Sequence, residues 1–72
     1  MELTDYEKAG IINKHIKECV TSIFNLNLEL IAENAVQSPN QDTIDNVNDE
    51  LQRQNARKAA LLAEYEKLNL GE

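Results

Sequence analysis

Tryptophan is missing from this chain of 72 residues, and cysteine, histidine, methionine, phenylalanine and proline occur once each. A single cysteine, Cys19, excludes an internal disulfide. One cysteine and one histidine also fall short of the three or four ligands that a protein zinc site takes. With two glycines, at 10 and 71, there is no glycine-rich loop to cradle a phosphate. No apolar run extends beyond a few residues, so no segment is expected to span a bilayer. β-branched residues stand singly instead of alternating with polar ones, which argues against strands. Positive charge is short as well: Lys and Arg number 7 against 13 Asp and Glu, for a net charge of −6 and a pI near 4.6. That balance opposes binding to nucleic-acid phosphates or to anionic membrane surfaces, so neither is expected as a partner. Glu2, Asp5 and Glu7 open the chain where a secretory leader would be basic. A cytoplasmic location is therefore expected, and the unpaired Cys19 fits a reducing compartment.

A chain this short forms one domain, 1–72. Chains of this size retain only about 3–5 kcal/mol of stability from their own core unless a disulfide, a metal or a partner adds to it. With the first two excluded, self-association or a protein partner remains.

What the sequence does contain is helical periodicity. Thr4 and Glu7 form a capping box, each side chain placed to accept from the other's backbone N–H, and Asp5 and Glu7 suit the positive end of a helix. Ala9, Ile12, Ile16, Cys19, Ile23, Leu26 and Leu30 then follow at alternating spacings of 3 and 4, which keeps one seam on one side of a helix. From Val20 a second stripe runs beside it through Phe24, Leu28 and Ile31. Gly10, early in this helix, costs about 1 kcal/mol relative to alanine and marks either tolerance near an end or a close approach by a partner.

Pro39 breaks the pattern, since the residue before proline is pushed toward extended conformations. Ser38 as N-cap, Pro39 in the first helical position and Gln41 three residues after Ser38 make a second capping box. The fold expected is all-α, an antiparallel two-helix hairpin with helices over about 4–36 and 39–68, completed by oligomerisation or a partner. In the second helix the apolar positions are Ile44, Val47, Leu51, Ala56, Ala59, Ala60, Leu62, Tyr65 and Leu68, clear at both ends and weak around Gln52–Asn55. Alanines at 56, 59, 60 and 63 would let a neighbouring helix approach closely. Lys14–Glu18 and Asp49–Arg53 are spaced to pair. Tyr6 and Tyr65 are placed to meet at the open end, and Gly71 to act as a frayed C-cap.

Catalytic constellations are sparse. His15 and Cys19 share a helix face with Glu18 nearby, but a nucleophile pair needs an orienting third group, an oxyanion hole and a pocket, and a two-helix hairpin offers no pocket. Asp49 and Glu50 are adjacent and so diverge around the helix. No catalytic, cofactor-binding or metal-binding residue is assigned, and no cofactor is expected.

The excess of apolar surface is the functional signal. One facing helix covers one stripe, and leaving the other in water forfeits roughly 1.5–3 kcal/mol for each large side chain. The expected partner-binding residues are Val20, Phe24, Leu28 and Ile31, together with Leu62 and Tyr65. Ser38-Pro39-Asn40-Gln41, followed by a Gln- and Ala-rich helix ending in Ala59-Ala60-Leu61-Leu62 and Tyr65, resembles the small co-chaperones of type III secretion needle subunits, the YscE-like family. The resemblance covers roughly residues 37–66. It implies a cytosolic helical hairpin that pairs with a larger tetratricopeptide-like chaperone to keep a needle subunit from polymerising, and no residue role is carried over from it. The function expected is a small non-enzymatic chaperone or co-chaperone that binds a protein through an apolar helix face. The alternative is a homodimeric four-helix-bundle regulator of plasmid or phage type.

Overall fold

The computed structural model describes residues 2–71, and the expected domain limits, Met1 and Glu72, lie outside them. Two helices, α1 (Asp5–Ala35) and α2 (Gln41–Glu66), fold back on each other as an antiparallel hairpin, as expected, with no strand among the described residues. The result is a slab of 55 × 24 × 14 Å, long and one helix thick.

α1 starts where its capping box places it. Thr4 is extended, its Oγ1 accepts from the Glu7 N–H at 3.1 Å, and Glu7 Oε1 accepts from the Thr4 N–H at 2.8 Å. α2 starts two residues later than the Ser38 capping box implies. Asn40 is its N-cap, accepting from the Thr43 N–H at 3.1 Å. The reason lies in α1: Glu33, in its last turn, reaches across and accepts from the Asn40 N–H at 2.7 Å. That bond stands in for the return half of a capping box, with the carboxylate supplied by the other helix. Gln41, freed from the cap, donates instead to Asp45 at 2.9 Å.

The α1 seam packs against a seam of α2 that runs through Ile44, Val47, Leu51, Gln54, Lys58, Leu61, Tyr65 and Leu68, each buried or half-buried. These positions keep the 3-4 spacing along the whole helix, so the two seams mesh as in a short antiparallel coiled coil. Gln54 and Lys58 occupy the middle of it. Gln54 is buried and donates to Glu50 at 2.9 Å. Lys58 is half-buried, as a long side chain is when its stem packs and its ammonium stays in water. The alanines at 56, 59, 60 and 63 point away from the seam, as does Leu62, so the close helix approach expected of them does not occur within the hairpin.

The open end is fastened by a tail that curls over α1. α2 closes at Glu66 with Lys67 as C-cap, and the Lys67 and Leu68 N–H groups tighten the last turn. The Asn69 N–H then donates to Asp5 Oδ2 at 2.8 Å, and the Tyr6 hydroxyl donates to the Leu70 carbonyl. Tyr6 therefore closes the end onto the tail backbone, while Tyr65 packs in the seam. Gly71, with φ of 76°, takes the left-handed turn beyond this contact and lies past the C-cap.

Two helices in contact along one line enclose little. Among the described residues, the best shielded are Ala9, Cys19, Val47 and Gln54, which retain 6–9% of their surface, and no large side chain is fully buried. The hairpin therefore has a seam but no interior.

Candidate partner-binding surface

At about 100° per residue, Val20, Phe24, Leu28 and Ile31 lie on a flank of α1 rotated roughly 100° from the seam. They are 48%, 62%, 46% and 66% exposed. This row spans three turns, about 16 Å, of one broad face of the slab. A monomeric protein rarely presents so continuous an apolar strip unless something uses it. The remaining expected members sit elsewhere. Leu62 is 44% exposed but lies toward the open end, since antiparallel pairing sets that part of α2 beside Ile12 and Lys8. Tyr65 belongs to the seam. The structure thus brings four of the six expected residues together.

The two broad faces differ in charge. One carries the groove between the helices, where His15, Glu18, Cys19 and Ser22 of α1 face Gln54, Arg57 and Leu61 of α2, and it continues past Glu29 and Glu50 toward the turn. The opposite face carries the apolar row. From Val20 to Ala35 that flank of α1 bears no charge, and beside it α2 presents Asn48 and Asn55. Lys17 bounds this uncharged region at one end and Asp45 at the outer edge of α2. Charge depletion around an apolar centre is the compositional mark of an interface core.

The groove on the charged face is shallow and open. His15 Nδ1 stands 3.6 Å from Glu18 Oε1, both exposed, while Cys19 is buried against α2. The His15–Glu18 contact takes the place of the expected Lys14–Glu18 contact, and the ion pairs formed by Lys or Arg among the described residues are Lys8–Asp5 and Lys67–Glu64, without Asp49–Arg53. Such exposed pairs contribute little. Among the described residues, no group of three or more His, Cys, Asp or Glu is placed to hold a metal ion, and no helix is long and apolar enough to cross a membrane.

Leu3 and Ile11, also exposed, form a small apolar patch with Ile12 and Leu68 at the open end, and sequence periodicity did not single it out. Ile11 adjoins the seam residue Ile12 but falls on its far side, so it belongs to neither stripe. A helical projection centred on the seam would have separated it.

No protein-family model, curated protein or solved structure matches this chain.

Proposed function

We propose that the chain is a non-enzymatic helical-hairpin binding protein, a small chaperone or co-chaperone that takes up an amphipathic helix on the Val20–Ile31 row. The supporting observation is that row: large apolar side chains, all exposed, on a face from which charge is excluded. A client helix laid along it would bury its own apolar stripe and be kept from self-assembly. A subunit that polymerises through such a helix, as a type III secretion needle subunit does, is the kind of client this surface suits. The site of action proposed is the cytoplasm.

The test uses capture by the tagged hairpin from its native host, followed by purification of the captured protein. The expected result is a client that assembles or aggregates alone and stays monodisperse with equimolar hairpin. Phe24→Asp should weaken capture by at least about tenfold, the equivalent of one large apolar contact, while circular dichroism shows unchanged helicity. Undiminished capture by that helical variant would place the binding surface elsewhere.

A further inference from the structure

The row Val20, Phe24, Leu28, Ile31 reads nearly the same in both directions, with spacings of 4, 4 and 3. Run antiparallel against itself, it sets Val20 opposite Ile31 and Phe24 opposite Leu28, the centres of the two pairs about half a residue apart. A two-fold interface requires this self-complementarity, because each residue must accept its mirror position on the other copy. We propose that the uncharged face binds a second copy of this chain, α1 packing antiparallel on α1 about a two-fold axis between Phe24 and Leu28. The inference rests on the functional reading above, in that the same face binds helices, and it names the occupant in the absence of a client.

Charge supports this occupant. Two copies at −6 each repel overall, and a face without charge is the surface on which that repulsion is least. The same arrangement brings Lys17 of each copy level with Ala35 of the other. That is the turn end, where the flank of α1 carries no lysine or arginine, so Lys17 meets no like charge there. Area supports it as well. A stable interface takes about 800 Å² from each partner, roughly one seventh of the hairpin's 5620 Å². The turn-side half of one broad face of a 55 × 24 Å slab offers surface of that order.

Sedimentation velocity of the full chain between about 1 and 500 µM, a range bracketing a weak to moderate dimer, tests the proposal. The expected result is a concentration-dependent species of twice 8.2 kDa. Val20→Glu and Ile31→Lys should each weaken dimerisation at least about tenfold, and the double variant should lose less than the two losses combined, because the two positions face each other across the axis. Leu62→Asp, on the open-end half, should leave the dimer unchanged. Helicity by circular dichroism identifies any variant that fails to fold, and Phe24→Asp serves as a second disrupting variant. A monomer throughout the range, a dimer indifferent to these α1 substitutions, or a double variant whose loss equals the two single losses combined would overturn the proposal. Client capture that depends on Phe24 in a strictly monomeric hairpin would remove the dimer and leave the functional reading intact.

Discussion

Gln54 sits at a seam position where a leucine or isoleucine would bury more apolar area. Its amide is held by Glu50, on the same helix, at 2.9 Å, so it satisfies itself locally without adding a bond to α1. A polar residue in such a seam stabilises less than an apolar one and penalises slipped registers that would leave it unpaired. Gln54→Leu is therefore expected to raise unfolding stability by about 1 kcal/mol, read from the urea midpoint at unchanged m-value. A lower midpoint would mean that the Gln54–Glu50 contact outweighs the apolar area gained. Gly10 offers the complementary case. A Cβ there would meet nothing within 4 Å, and the residue is exposed in the second turn of α1. Gly10→Ala should stabilise the hairpin by roughly 0.5–1 kcal/mol through the unfolded chain's lost freedom. If the same variant loses client binding, the glycine is there for a backbone that approaches from outside.

At the scale of the elements, the turn shows how much of this fold sequence periodicity reveals. Both helices, their antiparallel order and the α1 seam follow from 3-4 spacing, Pro39 and the Thr4 capping box, all of them local signals. The start of α2 does not, because Ser38 and Asn40 are equivalent N-caps by propensity. The choice falls to Glu33, seven residues away, whose carboxylate accepts from the Asn40 N–H. Asn40→Ala should accordingly cost about 1 kcal/mol, and Ser38→Ala should change the thermal midpoint by no more than measurement error. The reverse pattern would restore Ser38 as the cap. The α2 seam was hidden for a related reason. Gln54 and Lys58 are polar at seam positions, so a search for apolar residues passes from Leu51 to the alanines at 56, 59 and 60, which are exposed. The exposed apolar row was legible in α1, where Val20, Phe24, Leu28 and Ile31 share a flank. Leu62 and Tyr65 were joined to it only by being apolar on the other helix. Deciding that they lie apart takes the pairing register, and single-helix periodicity does not contain it.

For the whole molecule, the decisive quantity is the surface a two-helix slab fails to enclose. Among the described residues no large side chain is fully buried, and the core amounts to a line of contacts between α1 and α2. With a second copy on its uncharged face, as proposed, the hairpin's stability should follow mass action. Each tenfold rise in protein concentration adds about 1.4 kcal/mol per dimer, half of it per chain. For a chain of this length that corresponds to a rise of about 3–6 °C in Tm per decade. Scanning calorimetry at several concentrations reads this directly. Added sodium chloride should raise Tm further, because it screens the repulsion between two chains of −6 while leaving an apolar contact untouched. An interface held by ion pairs would respond in the opposite direction. In Phe24→Asp the concentration dependence should disappear, and Tm should settle at the value of the isolated hairpin. A wild-type Tm that stays constant across the whole concentration range would mean that the α1–α2 seam alone sustains the fold, and that the Val20–Ile31 row is kept for a partner of another sequence.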